Sequence, residues 1–306
     1  MAEMVACLRR GRVEVLRRGQ PPQLLESPHR ERLAVGPDGD TQVRIVSVTR
    51  GRTSAELCYA VVSRGTCRVY AQIPGSAKEQ LLFQSTDSQL SELDFSAADE
   101  ALACTVAGDN GTSAIGVFAN DGRGLRTVTE GDVIDRAPRW APGARGEIVY
   151  ASAGIGRTKA GKAVGRTPFA LHRLRFSDNS VEVLMADARY DYAAAIPVSE
   201  HLLYALRQSY AAPSPSTPLA GILGAFRGLF SVAAGAARAP TRLYELVRVT
   251  PQGSQLVARD VLAFDVAANE DVIYSNEAGV FTIAAQRTVP EPLASLERVE
   301  QLVICP

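Results

Sequence analysis

A short sequence pattern of strand and turn residues recurs along this chain and limits the folds that the chain can adopt. Short runs of alternating apolar residues end at turns rich in Gly, Pro, Asp and Asn, and such phrases occupy residues 93–96, 125–129 and 137–150. Alternation with a period of two predicts strands, and a phrase that recurs about every 40 to 50 residues is typical of stacked four-stranded blades. The sequence therefore predicts an all-β chain built as a β-propeller.

The composition is that of an ordinary globular protein. The chain has 306 residues, 46% hydrophobic and 22% charged, which is enough apolar material for a sizeable core. The net charge is zero at pH 7, so no nucleic-acid partner is expected. The first ten residues contain no basic leader followed by an apolar segment, and a cytoplasmic location is expected.

The predicted strands group into four-stranded units, over residues 41–86, 87–132, 133–187, 188–260 and 261–295. Three strands near the start, at 4–9, 12–16 and 23–25, lack an inner strand, while the apolar run 299–305 has no unit of its own. We expect the two ends to combine into one blade, because closing the ring removes exposed sheet edges. The prediction is one domain over residues 1–306, a propeller of about six blades with a helical insertion in one blade.

The units that contain Phe95, Thr129 and Trp140 resemble the TolB-like (WD40-like) propeller repeat. Blades of that family carry an aromatic-Ser-Pro-Asp-Gly turn and a Leu-Thr phrase. Here Ala141 takes the place of the serine, and residues 143–144 read Gly-Ala in place of Asp-Gly. The resemblance implies a propeller fold in which these residues build turns.

The sequence contains few residues of the types that act in catalysis or bind metal ions. The histidines are His29, His172 and His201, and the sequence contains no G-x-S-x-G nucleophile motif. No Asp, Glu or His cluster has metal-ligand spacing, and the five cysteines form no C-x-x-C, which predicts reduced core thiols. Residues 156–162 fit G-x-x-x-x-G-K, but Ala163 replaces the hydroxyl residue that would hold Mg²⁺. We therefore expect no catalytic residues, no metal and no cofactor.

A first insertion covers residues 155–168 and is predicted to be a flexible loop. It contains four cations and no acid; the cations are Arg157, Lys159, Lys162 and Arg166. Two interpretations are open for it, a solvated hairpin tip or a basic contact surface for a partner.

A second insertion covers residues 210–241. Apolar side chains recur there at helical spacing after Thr217-Pro218, and no acid lies between Glu200 and Glu245. The candidate contact residues of this predicted amphipathic helix are Leu219, Ile222, Leu223, Phe226, Arg227 and Phe230. The segment is too short and too glycine-rich to span a bilayer. It could pack on the chain's own blades, dock to a protein partner or lie on an anionic membrane surface.

Both insertions join the second and third strands of neighbouring units. In a propeller all such connections emerge on one face, so we expect the basic loop and the apolar helix side by side. The leading hypothesis is a noncatalytic interaction scaffold that binds a protein partner through that face. Two alternatives remain open: an enzyme or small-ligand binder that uses the central channel, and a peripheral membrane adaptor.

Overall fold

Nearly all the regular structure among the described residues is β-structure. The computed structural model describes residues 4–17, 19–27, 43–211, 243–285 and 287–305. Within these ranges, one 3-10 turn at Asp109–Gly111 accompanies the strands. The predicted all-β class is therefore confirmed.

The strands, in chain order, are β1 (Met4–Arg9), β2 (Arg12–Arg17), β3 (Gln23–Leu24), β4 (Arg44–Arg50), β5 (Leu57–Ser63), β6 (Thr66–Gln72), β7 (Glu79–Ser85), β8 (Leu90–Ser96), β9 (Ala101–Ala107), β10 (Ser113–Ala119), β11 (Arg126–Thr127), β12 (Val133–Trp140), β13 (Glu147–Arg157), β14 (Ala163–Arg166), β15 (Ala170–Arg175), β16 (Ser180–Met185), β17 (Tyr190–Ser199), β18 (Leu202–Ser209), β19 (Tyr244–Thr250), β20 (Gly253–Val261), β21 (Ala263–Val266), β22 (Val272–Ser275), β23 (Val280–Ile283), β24 (Glu291–Ala294) and β25 (Gln301–Cys305).

These strands form five sheets. Four sheets have four strands each, in the orders β25-β1-β2-β3, β4-β5-β6-β7, β17-β18-β19-β20 and β21-β22-β23-β24. The fifth has nine strands, β8 to β16, and one parallel pair, Ser113 with Ile134, joins its two halves. The units predicted over 41–86, 188–260 and 261–295 each correspond to one sheet. The units predicted over 87–132 and 133–187 lie together in the nine-stranded sheet.

The two ends of the chain share a sheet, as predicted. β25 pairs antiparallel with β1, and the register places Met4 opposite Cys305. Successive side chains of a strand point to opposite faces, so β1 contributes to two cores. Ala6 packs in a cluster with residues of β4 and β5, whereas Val5 and Cys7 pack with residues of β21 and β22.

Six strands contact one another in sequence. Contacts run from β25 to β4, β8, β12, β17 and β21 in turn, and β21 contacts β25. Side chains reinforce several of these junctions. The Asp94 carboxylate accepts a hydrogen bond from the Trp140 N–H at 2.8 Å, and the Asp265 carboxylate accepts one from the Ile304 N–H at 2.6 Å. Such bonds satisfy buried backbone donors and fix how neighbouring sheets stack.

The cysteines lie in these cores. All five are buried with free thiols, which confirms the prediction of core thiols. Burial raises the pKa of Cys7 and of Cys58 to about 12. These thiols are therefore protonated at neutral pH and act as small apolar side chains.

Candidate interaction face

The first insertion is a β-hairpin, and its pairing has one register shift between Gly156 and Arg157. β13 continues to Arg157 and pairs with β14, with Ile155 opposite Arg166 and Arg157 opposite Ala163. The Thr158 N–H donates to the Lys162 carbonyl at 2.8 Å and closes the turn. A strand rather than a helix follows the G-x-x-x-x-G-K sequence, so this segment lacks the helix N-terminus that a phosphate-binding loop requires.

Each arginine of this hairpin forms an ion pair with an acid from a neighbouring segment. The Arg157 Nε lies 2.7 Å from the Asp132 Oδ1, and this hydrogen bond lowers the pKa of Asp132. The Arg166 guanidinium makes two bonds to the Asp191 carboxylate, at 2.8 and 2.6 Å. The hairpin itself contains no acid, as its sequence shows, but acids from neighbouring segments compensate two of its four charges.

Lys159 and Lys162 differ from the two arginines. Both are exposed at the turn of the hairpin, and the described residues place no carboxylate within ion-pair distance of either ammonium group. Among the described residues, the cations of this hairpin without an ion-pair partner are therefore two lysines rather than four cations.

Arg166 forms a buried ion pair with Asp191 and contacts two aromatic rings. Its side chain is 8% exposed and that of Asp191 is 5% exposed, so the pair is buried. The guanidinium carbon lies 4.6 Å from the ring centre of Phe169 and 5.3 Å from that of Tyr210. Asp191 also accepts a hydrogen bond from the Phe169 N–H at 2.9 Å. Burial alone raises the pKa of Asp191, but these hydrogen bonds outweigh it, and the pKa lies below its ordinary value.

Tyr210 links the bases of the two insertions. It is the first residue of the second insertion, and its hydroxyl donates to the Arg166 carbonyl at 2.5 Å. Its N–H donates to the Arg189 carbonyl at 2.7 Å. The base of the second insertion therefore lies against the hairpin of the neighbouring unit. We call the hairpin 155–168, Arg189 and Tyr210 the insertion face. The six predicted contact residues from Leu219 to Phe230 lie outside the described residues.

A polar recess lies beside the insertion face. Its volume is about 250 Å³, and its lining includes Tyr190, Arg207, Leu243 and Glu245. The Arg207 guanidinium carbon lies 4.3 Å from the Tyr190 ring centre, and its Nε lies 3.1 Å from Glu245. Ser209 and Leu243, which also line the recess, flank the second insertion. Sequence reasoning did not single out these residues; the Tyr and Arg residues that cluster just before this insertion were the available signal.

The Glu92 carboxylate lies between β8 and β12 and accepts hydrogen bonds at both of its oxygens. Glu92 accepts bonds from the Arg136 guanidinium at 2.8 Å, from the Ala137 N–H at 2.8 Å and from the Thr105 hydroxyl at 2.7 Å. Burial raises the pKa of Glu92, but Arg136 and these hydrogen bonds outweigh it and lower the pKa overall. Both carboxylate oxygens are thus occupied by the protein, which indicates a structural role at this junction.

The described histidines occupy unlike environments. His172 is half-buried, its ring centre lies 5.5 Å from that of Tyr150, and burial lowers its pKa. His201 is exposed and lies 4.0 Å from the Glu200 carboxylate. His29 lies outside the described residues. In the described part of the chain, no group of three or more His, Cys, Asp or Glu side chains could hold a metal ion, and no helix there is long and apolar enough to cross a membrane.

The sheet arrangement defines an all-β, propeller-like protein, and solved structures share it. No family model matches the sequence, and no curated protein matches it. A chain in the crystal structure of a nidogen/laminin complex is similar with a TM-score of 0.65 at 7% identity, over 99% of this chain and 98% of that chain.

Two bacterial structures show the same likeness. TolB from Acinetobacter baumannii has a TM-score of 0.62 at 12% identity, over 99% of this chain and 67% of TolB. A puromycin-hydrolyzing peptidase from Mycobacterium tuberculosis has a TM-score of 0.56 at 13% identity, over 95% of this chain and 43% of the peptidase. The fold is therefore TolB-like, and this chain spans less than half of that peptidase.

Proposed function

We propose that this chain is a closed six-bladed propeller of the TolB-like repeat class that acts as a noncatalytic scaffold and binds a protein partner through the insertion face. The proposal treats residues 1–306 as one domain and includes a cytoplasmic location and no cofactor.

Six blades follow when the nine-stranded sheet is divided at its weakest point. One bridge pair, Ser113 with Ile134, joins β10 to β12, whereas β9 and β10 pair along seven positions from Ser113 to Ala119. Division there gives β8 to β11 and β12 to β16 as separate blades. The pairing of β25 with β1, together with the contacts of β25 with β4 and β21, supports closure.

The observation that carries the functional proposal is the hydrogen bond from Tyr210 to the Arg166 carbonyl. It brings together the bases of the two insertions that lengthen connections in neighbouring units. A surface built from the hairpin of one unit and the insertion of the next is larger than either alone, and specific interfaces need such area.

The chemistry of the surroundings also suits an interface. Arg and Tyr dominate interface hot spots, and the cluster at this place includes Arg189, Tyr190, Arg207 and Tyr210. The predicted apolar helix would add the buried anchors, and Lys159 and Lys162 would guide association.

The test compares two matched triple variants. Ile222→Ser/Phe226→Ser/Phe230→Ser removes the predicted anchors, and Leu81→Ser/Val183→Ser/Leu256→Ser removes three exposed apolar side chains from other strands. Proteins captured by the wild type and by the control, but lost by the anchor variant, are purified and their affinities measured directly. We expect a loss of at least about 100-fold for the anchor variant.

Other outcomes point to other functions. If the anchor variant binds normally, the proposal fails. If it unfolds, as followed by the fluorescence of Trp140, the second insertion packs on the chain's own blades. Binding to anionic vesicles that weakens with salt, in place of a protein partner, would indicate a membrane adaptor. Turnover that persists in the anchor variant would indicate a channel enzyme.

A further inference from the structure

A cavity of about 480 Å³ lies between the sheet β25-β1-β2-β3 and the sheet β21-β22-β23-β24. Protein interiors pack about as densely as organic crystals, so a gap of this volume is not an ordinary packing defect. It falls within the range of small-molecule sites, about 300–1,000 Å³. Gly19, Gln20 and Pro22 line the cavity and are exposed, so the cavity opens toward solvent at these residues.

Strand register shows which side chains form the two walls. Val5 is paired with Leu16 on β2 and with Ile304 on β25, so these three side chains share one face of their sheet. On the facing sheet, Ile273 is paired with Thr282, and these two side chains also share a face. All five residues line the cavity, and the four apolar ones belong to the core between the two sheets. The walls are therefore mainly aliphatic.

The core beside the cavity differs from the other cores in its side chains. The described residues form six apolar clusters, one at each junction between successive groups of strands. Five of these clusters contain aromatic side chains, for example Tyr59, Phe118, Trp140, Tyr192 and Phe264. The cluster beside the cavity contains no aromatic side chain among the described residues. The cavity thus lies at the junction whose described core lacks a ring.

Small side chains on the outer strands explain why space is left. Sheets that radiate from one axis diverge outward, so their outer positions need large side chains to keep the interior packed. Here those positions hold Thr282 on β23 and Ala294 on β24, and both line the cavity together with Leu16 of the facing sheet.

Arg17 contributes to the lining, but its charge lies elsewhere. The register pairs Arg17 with Met4, so its side chain lies on the face of the sheet away from Val5. The guanidinium donates there to the Met4 sulfur at 3.8 Å and to the Gln23 side-chain oxygen at 2.9 Å. It therefore offers no cation to a ligand among the aliphatic side chains.

The carboxylate of Asp271 is also engaged by the protein. One oxygen accepts a hydrogen bond from the Ala285 N–H at 2.9 Å, and the other accepts one from the Asn269 amide at 3.0 Å. This carboxylate therefore serves the turn between β21 and β22. A charged ligand would lose its hydration in the cavity without a counter-ion from the described residues, which favours a neutral ligand.

Thr282 gives the cavity a hydrogen-bonding group. Its side chain is half-buried, and its hydroxyl has no hydrogen-bond partner among the described residues. Because Thr282 shares a face with Ile273, this hydroxyl lies on the cavity side of the sheet. A single polar group on an apolar wall favours a ligand with one group that can bond to it.

We propose that this cavity binds a neutral aromatic molecule with one hydrogen-bonding group, of which a bicyclic phenol is a simple example. The rings fill the space among Val5, Leu16 and Ile273, and the phenol oxygen forms a hydrogen bond with Thr282. Rigid rings fill an apolar cavity with little loss of conformational freedom, and apolar cavities in proteins bind small aromatic molecules. The site involves neither insertion, so it stands or falls separately from the proposed scaffold function.

Calorimetric titration of the full chain compares naphthol with four relatives. Phenol has one ring fewer and should bind at least about tenfold more weakly. Naphthalene lacks the hydroxyl and should bind about fivefold more weakly. Naphthoate and naphthylmethylammonium carry charges of opposite sign on the same rings. Each should bind at least about tenfold more weakly than naphthol, because neither finds a counter-ion in the cavity.

Thr282→Val tests the hydrogen bond without changing the shape of the wall. It should weaken naphthol about fivefold, to the affinity of naphthalene, and leave naphthalene itself unchanged. Thr127→Val is the matched control, because Thr127 is exposed on β11 and lies outside the cavity. The control should change the affinity of neither compound.

Ala267→Phe tests the location. Ala267 lines the cavity and packs against the core without a ring, so a phenylalanine there would supply the ring that the other junctions contain. The variant should lose detectable binding of naphthol and of naphthalene, and its melting temperature should rise because the cavity is filled.

Three results would overturn the proposal. The first is no detectable binding of naphthol. The second is naphthoate or naphthylmethylammonium binding as tightly as naphthol. The third is naphthol affinity that is unchanged in both Thr282→Val and a folded Ala267→Phe. If Ala267→Phe does not fold, unchanged affinity in Thr282→Val overturns the proposal by itself.

Discussion

The side-chain amide of Gln301 makes two hydrogen bonds to the backbone of Val48. Its oxygen accepts from the Val48 N–H at 3.0 Å, and its nitrogen donates to the Val48 carbonyl at 2.7 Å. Gln301 begins β25 and Val48 lies within β4, so this pair joins two sheets whose strands are far apart in the chain. An amide that meets both polar groups of one residue imitates a backbone partner at a place where the strands do not pair.

We expect Gln301→Ala to lower the free energy of unfolding by about 1–3 kcal/mol, because two backbone groups of a fully buried residue lose their partners. Urea denaturation followed by the fluorescence of Trp140, the single tryptophan, measures it. Gln84→Ala is the control, since Gln84 is exposed and its side-chain oxygen accepts a hydrogen bond from the half-buried Arg68 on the same sheet surface. Equal unfolding free energies for the two variants would contradict a role for Gln301 in joining the sheets.

We expect Asp191→Asn to destabilise the protein at neutral pH by about 3–5 kcal/mol, because Arg166 would keep a buried charge without a partner. The pKa of Asp191 is lowered in the fold, so its stabilising effect is present above its unfolded value and is lost as the pH falls through the folded value. The difference between wild type and variant should therefore narrow below about pH 4.

Urea denaturation at a series of pH values measures the effect of Asp191→Asn. The matched control is Asp187→Asn, which removes the partner of Arg189, an arginine whose side chain is 80% exposed. This control should leave the free energy of unfolding unchanged. A variant at Asp191 that is as stable as the control at neutral pH would show that the buried pair contributes no stability.

We expect Lys159→Gln/Lys162→Gln to slow association with the partner several-fold at low ionic strength and to flatten its salt dependence, with little change in dissociation. Lys78→Gln is a matched control, because Lys78 is exposed on the connection from β6 to β7, away from the insertion face. Arg157→Gln should have less effect on association, since Asp132 already compensates its charge. Surface-immobilised binding at two ionic strengths gives the rates; equal effects of the Lys78 and double-lysine variants would refute this role.

We expect His172→Gln to remove part of the loss of stability on mild acidification. Burial lowers the pKa of His172 in the fold, so the unfolded chain takes up a proton more readily and wild-type stability falls as the pH drops below about 6.5. The variant should lose less stability between about pH 7 and 5. His201→Gln, whose side chain is 73% exposed in the wild type, should behave like wild type. Partner binding should survive both changes.

Much of the fold could be predicted from the sequence because its determinants are local. Alternating apolar residues and the glycine turns gave the units, and the unpaired runs at the two ends gave the pairing of β1 with β25. The repeat phrase also has a direct structural meaning. Trp140 donates its ring N–H to the Asp94 carbonyl at 3.3 Å, so the phrase of one unit bonds to that of the next.

The charge pattern of the insertion face could not be predicted, because it depends on strand register. Arg166 and Asp191 lie 25 positions apart, on β14 and β17, and nothing in the residues between them indicates that they meet. A hairpin was one of the two interpretations of this insertion, but the length of its strands could not be predicted, because Gly154, Gly156 and Gly165 are weak strand formers and the extension depends on pairing between β13 and β14. The sequence marks Tyr210 only as the first residue of the second insertion. Its hydrogen bond to the Arg166 carbonyl depends on the fold and was not predicted.

The pairing of β1 with β25 also sets the order of events on the ribosome. β1 is synthesised before β2 to β24 and β25 after them, so a strand with apolar side chains on both faces stays unpaired on one edge until all the intervening strands have been made. The nascent chain can complete its middle sheets as they emerge, since those are built from consecutive strands, but its first sheet waits for the last strand. Slow or interrupted synthesis would therefore prolong exposure of that edge, and the first strands are where a chaperone that binds extended apolar segments would act.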